Sequence, residues 1–201
     1  MKKKAIYIPL ALLITIVVSI LFSSCHQNKK TSDKTIVNEN IIQIKDFRVN
    51  SDSTKMNTSV KGTIFIEGTE EIPEHIHIVA WIEVDPDDWG GVVFYIPKKW
   101  NVSNIISSYP ENKAQALPAE YVTTWHTTDS ELYEWHKFIE IGRDHSYIPT
   151  GGGTGTVVID LVPDENAIQQ LEKFNIMIAV GCDKKNGIKI LETDSISIEI
   201  P

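Results

Sequence analysis

The chain is 201 residues long and carries 19 Lys and Arg against 27 Asp and Glu, a formal charge of −8. A net negative surface with no basic stripe repels phosphate backbones, which disfavours nucleic acid as a partner and suits cationic groups or metal ions better. Neither Gly-x-Ser-x-Gly nor His-Glu-x-x-His is present, so neither motif names a reaction.

In chain order, Lys2, Lys3 and Lys4 precede an 18-residue stretch, Ala5 to Phe22, that has no charge and is rich in Ile, Leu and Val. Such a stretch can enter or cross a bilayer as a helix. The next residues, Leu21-Phe22-Ser23-Ser24-Cys25, resemble the lipobox of bacterial lipoproteins, in which small residues precede a cysteine that becomes the acylated N-terminus. That resemblance covers this segment alone. It implies a signal peptide over residues 1–24, lipidation of Cys25, a membrane contact through the lipid anchor, and a place on the extracytoplasmic face of a bacterial cell envelope. An uncleaved helix predicts the same side of the membrane, because the Lys-rich end stays inside.

Residues 25–39 are expected to be a flexible tether: Lys, Ser, Thr, Asn and Gln dominate, and burial cannot offset the entropy of ordering them. Loss of the three leader lysines takes the charge to −11, and the net +2 of residues 26–38 leaves −13 from Glu39 onward. Residues 40–201, about 160 in all, are the size of one domain with one core and need neither metal nor disulfide to fold.

From Ile41 apolar residues recur at every second position, as in strands with one face on a core. Ile41 to Val49 comes first, then Val60, Ile64 and Ile66. The clearest run places Ile76, Ile78, Ala80, Ile82 and Val84 on one side and His75, His77, Val79, Trp81 and Glu83 on the other; the first set is expected to face the core. Val92 to Ile96 follows. Pro97 to Glu120, with Trp100, Tyr109, Pro110 and Pro118, reads as a long connection and a candidate binding loop. Tyr121 to Thr127 and Leu132 to Ile141 continue the series, then Val157, Ile159 and Leu161. Asp164 is placed to cap a short helix through Glu172 with Ile168 and Leu171 on one side. Ile176, Ile178, Val180 and Cys182 alternate next, and Lys184-Lys185-Asn186-Gly187 predicts a tight hairpin turn before Ile188 to Leu191 and Ile196, Ile198 and Ile200. The expected fold is all-β, an immunoglobulin-like β-sandwich of about eight to ten strands with one short helix.

Several groups of residues can carry chemistry. His75 and His77, two apart on a strand, project from one face and suit a metal ion such as zinc, with Glu83 further along and His126, Glu134 or His136 as a third ligand. The plain reading is two solvent-facing histidines. Asp85, Asp87 and Asp88 make an acidic turn with oxygens suited to calcium, but the EF-hand spacing fails at Trp89 and Ile96, and Pro86 and Gly90-Gly91 are what a strand-joining turn requires. Gly151-Gly152-Gly153-Thr154-Gly155 leads into a strand, whereas phosphate loops open onto helices, so it reads as a hinge or bulge.

Of the aromatics, Trp81, Trp100 and Tyr109 are the candidate ligand-binding residues, since an aromatic face complements the apolar face of a sugar or anchors a protein partner. Trp125 and Trp135 are expected to pack inward with Tyr121, Tyr133 and Ile139, and Glu134 and Glu140 to lie exposed. Cys182, the one cysteine left once Cys25 is lipidated, reads as a small core hydrophobe. No catalytic residue emerges. The expectation is a non-enzymatic binding or adhesion module for a protein or glycan, with a metal-binding or metal-dependent catalytic domain that uses His75 and His77 to hold zinc or calcium as the alternative.

Overall fold

The computed structural model describes residues 38–201 other than 55, 71, 114–116, 118–119, 128–133, 165–172 and 186–187, and describes 182–193 by backbone only. Its elements are β1 (Ile41–Asn50), β2 (Ser59–Thr69), β3 (Ile72–Val84), β4 (Val92–Pro97), β5 (Trp100–Ser107), β6 (Val122–His126), β7 (Trp135–Ile141), β8 (Gly153–Pro163), β9 (Phe174–Lys185) and β10 (Ile188–Ile200). They form two five-stranded sheets, ordered β1-β2-β3-β8-β5 and β10-β9-β4-β7-β6, and every pairing is antiparallel. The helix expected after Asp164 falls on 165–172, outside the described residues. The expected tight turn at Asn186-Gly187 lies outside them as well, although Lys185 stands opposite Ile188 where β9 and β10 pair.

Period-two patterning accounts for this arrangement. In β3, the middle strand of the first sheet, Ile76, Ile78, Ala80, Ile82 and Val84 are all buried, while His75, Val79, Trp81 and Glu83 on the other face are exposed. Val60, Ile64 and Ile66 of β2 and Val157, Ile159 and Leu161 of β8 point the same way. They share one core with Val92, Phe94 and Ile96 of β4, Ile139 and Ile141 of β7, Ile176, Ile178 and Val180 of β9, and Ile198 and Ile200 of β10. The two sheets therefore pack face to face, in a β-sandwich-like manner, and each buried Ile contributes roughly 1.5–3 kcal/mol of transfer free energy. The middle strand of the second sheet, β4, is buried at every position, because Val93 and Tyr95 face away from this core and join a second cluster with Ala179, Trp135, Phe138 and Met177.

A lysine is built into the interior. Lys137 of β7 is buried, and its Nζ donates to the carbonyl of Trp100 at 2.7 Å and to the side-chain oxygen of Asn101, tying the second sheet to β5 of the first. Burial pushes its ammonium below the ordinary lysine range, while Asp164 acts in the opposite sense.

The stretch Pro97 to Glu120 is not a long loop. Its first half is β5, an edge strand paired with β8. The register shifts between Val102 and Asn104, so that Val102 opposite Leu161 and Ile105 opposite Ile159 both face inward although they lie three residues apart. A bulge of this kind reverses the alternation in mid-strand and hides the strand from a period-two reading. Trp100 is only 5% exposed and packs on Phe174 with ring centroids 5.2 Å apart, and Tyr109 is fully buried against Tyr121 at 6.0 Å.

Burial of Tyr109 gives an alkaline prediction. Its hydroxyl makes no hydrogen bond of good geometry, although the Thr150 side chain is close enough to offset part of the effect, and burial pushes the phenol up to about 12 from 10.0. A raised acid stabilises the fold fully below its unfolded pKa and ceases to do so as pH climbs through the folded one. Unfolding free energy is therefore expected to fall by about 2–3 kcal/mol between pH 9.5 and 12.5 through this group. In Tyr109→Phe that component is absent, and the variant is at least as stable as the parent at pH 8, because a buried hydroxyl without a good partner is removed. Urea denaturation at both pH values checks this; equal alkaline losses in the two proteins would count against it.

Candidate functional site

The outer face of the first sheet gathers side chains that are far apart in sequence. Antiparallel register sets them in rows across the strands. One row runs Arg48, Lys61, Trp81, Thr156 from β1 through β8, and the next pairs Asp46 with Thr63, Thr63 with Val79, Val79 with Val158 and Val158 with Ile106. A third runs Ile44, Phe65, His77, Asp160, Asn104. Neighbouring strands are about 4.7–4.9 Å apart, so members of a row are in lateral contact range.

Trp81 is 38% exposed near the middle of this face. Beside it is a shallow open depression of about 520 Å³ lined by Arg48, Lys61, Thr63, Val79, Trp81 and Thr156, with Gly62 beneath. An apolar band crosses the same face, with Ile44, Val79 and Ile106 exposed and Phe65 and Val158 half-buried. The arrangement thus offers an aromatic plane next to hydroxyl and cationic hydrogen-bonding groups.

His75 and His77 do lie together on this face, with rings nearly parallel at 11° and centroids 6.3 Å apart. His77 is already engaged: its Nδ1 is 2.7 Å from Asp160 Oδ1, and its Nε2 is 3.7 Å from Glu67 Oε2. Asn104 donates to the other oxygen of Asp160 at 3.1 Å. Glu83 lies beyond Trp81 on the same strand, opposite Ser59 and Thr154, and His126, Glu134 and His136 belong to the second sheet or its margin. The zinc site is therefore not assembled, and among the described residues no three His, Cys, Asp or Glu side chains are grouped to hold a metal ion.

The acidic turn is likewise occupied from within. Asp85 accepts hydrogen bonds from the backbone N–H of Asn57 and of Asp87, both at 2.9 Å. Asp88 is fully buried; one carboxylate oxygen takes the Thr58 hydroxyl and the other the Gly90 N–H at 2.7 Å. Only Asp87 of the three is exposed. These carboxylates brace the β3–β4 connection against the start of β2, and the calcium expectation gives way to a structural turn.

The other aromatics depart from their expected placement. Trp100 and Tyr109 are sealed in the core and cannot stack on an external ligand. Trp125, expected inside, is 46% exposed and rests edge-on against His145 at 4.8 Å. Trp135 is half-buried in the cluster on the reverse face of the second sheet, Ile139 is in the core, and Tyr133 lies outside the described residues. Glu140, expected exposed, is buried and held by Arg143 and His145. The Gly151-Gly152 pair has positive φ where the chain turns into β8; a Cβ on Gly152 would come within 2.4 Å of the Val84 carbonyl. The side chain of Cys182 is outside what is described.

No protein-family model matches the chain, and no curated protein matches it either.

Proposed function

We propose that residues 40–201 form a non-enzymatic binding module for a glycan, carried on the extracytoplasmic face of a bacterial envelope by lipid on Cys25. The observation that carries the ligand reading is Trp81, an exposed indole at the centre of a sheet face with cations and hydroxyls lining the depression beside it. Sugars present apolar C–H faces edged by hydroxyls, and this pairing of a flat ring with polar groups at its margin matches them. The tether reading rests on Leu21 to Cys25 and on the lysines that precede the apolar stretch. Immunoglobulin-like kinship belongs to the same proposal at the level of architecture. It is supported by face-packed antiparallel sheets and by chain crossings between them at β3–β4, β4–β5, β5–β6, β7–β8 and β8–β9; the β1-β2-β3 meander keeps three consecutive strands in one sheet.

The test is a glycan array probed with the full chain in non-ionic detergent, followed by calorimetric titration of the best ligand. Trp81→Ala is expected to weaken binding about tenfold or more, as loss of a central aromatic contact does, with unchanged circular dichroism. Absence of any glycan signal, or equal affinity of the variant, would overturn the reading and favour a protein partner on the apolar band.

A further inference from the structure

The site just described contains an arrangement that a neutral sugar does not call for. Arg48 of β1 and Lys61 of β2 stand directly opposite each other on the outer face, and Trp81 stands opposite Lys61 on the other side. Like charges directly opposite across a strand pair are destabilising. In a domain of net charge −13 from Glu39 onward, carboxylates abound, yet among the described residues none lies within ion-pair distance of either cation. The Arg48 Nε donates only to Asn50 Oδ1, at 3.2 Å. Asp46, one row away on β1, accepts the Thr63 hydroxyl at 2.6 Å. The acids at the far end of the face, Glu67 and Asp160, are turned to His77.

Resting on the glycan reading, we infer that the saccharide bound at Trp81 carries a carboxylate, as a uronic or sialic acid does, and that Arg48 and Lys61 receive it. Strand spacing places the two cations about 5 and 10 Å from the strand that bears the indole, the reach of one or two sugar units. A guanidinium offers paired N–H donors that match a carboxylate, and an ammonium adds a point charge beside it. The anion removes the repulsion between the two cations at the same time. The negative charge of the remaining domain acts against dense polyanions, so the geometry selects an isolated carboxylate in an otherwise neutral chain over a sulfated one.

The experiment uses the full chain in non-ionic detergent on an array of neutral, uronate-containing, sialylated and heavily sulfated glycans. Calorimetry then compares the best acidic ligand with its carboxyl-reduced form. The acidic form is expected to bind about tenfold more tightly or better, with a preference that shrinks as salt is raised. Arg48→Gln and Lys61→Gln each remove most of that preference, weakening the acidic ligand far more than its reduced form, whereas Trp81→Ala weakens both alike. If acidic and reduced forms bind equally, or heavily sulfated glycans bind best, the carboxylate inference fails while the glycan reading stands. If no glycan binds at all, both fail together.

Discussion

Glu140→Ala is expected to lower the unfolding free energy by about 3–5 kcal/mol. The carboxylate lies on the side of β7 turned away from the main core, yet it is buried, with one oxygen 2.8 Å from Arg143 Nη1 and the other 2.7 Å from His145 Nε2. The Arg143 side chain is itself about as buried as Glu140; burial pushes its guanidinium below the ordinary arginine range, and the charge of Glu140 acts to hold it up. Truncation removes the acid and leaves the buried cation without that counter-charge, which is the expensive way to break such a pair. His145 is half-exposed and turns to water at little cost, so His145→Ala loses much less. Urea unfolding of the full chain checks both variants, and a loss below about 1 kcal/mol for Glu140→Ala would remove Glu140 as the anchor of this corner.

The second large effect is expected at Gly62. A Cβ there would sit 2.2 Å from the Val79 carbonyl oxygen and 2.8 Å from both Ala80 Cα and Phe47 Cζ. Two of these obstacles are backbone of the neighbouring strand, which cannot rotate away. Gly62 opposite Ala80 leaves the space that the Phe47 ring fills, and that ring meets Phe94 of the second sheet edge-on at 6.4 Å. Gly62→Val therefore splays β2 from β3 and displaces an inter-sheet contact. A destabilisation of about 3 kcal/mol or more is expected, at or above the upper end for overpacking in a core. On the glycan reading, ligand affinity is expected to fall as well, because Val79 lines the depression beside Trp81. A Val variant with parental melting temperature and affinity would show that the strands can yield here.

How much of this was legible in the sequence depends on the distance between cause and effect along the chain. The facing of β3 was legible because five apolar positions at spacing two admit one register, and that register also fixes His75, His77 and Trp81 on the opposite side. The β5 strand was not, because the bulge between Val102 and Asn104 breaks the alternation, and Trp100 and Tyr109 then resemble loop aromatics between prolines. The burial of Asp88 within the acidic turn was not legible because its partner, Thr58, lies 30 residues earlier. Glu140 alternates with Ile139 and Ile141 as an outward residue should; its burial comes from the segment after β7, which the strand pattern does not reveal. Arg48, Lys61 and Thr156, which complete the Trp81 site, each sit on the polar side of an unremarkable strand. Only the pairing of β1, β2, β3 and β8 brings them into one row, and local sequence does not encode which strands become neighbours.

The place where the chain enters the first sheet bears on how the domain takes mechanical load. Asn38 donates to Glu67 at 2.8 Å, and the Gly68 N–H donates to the Asn40 carbonyl, so the chain joins the sheet at the β2–β3 hairpin end, beside His75. Trp81 lies six residues further along β3, about 20 Å toward the opposite end. On the reading of a tethered module, tension between the N-terminus and a ligand on Trp81 runs along the strand axes. The β1–β2 ladder is then strained in shear, with its hydrogen bonds sharing the force together instead of opening one after another.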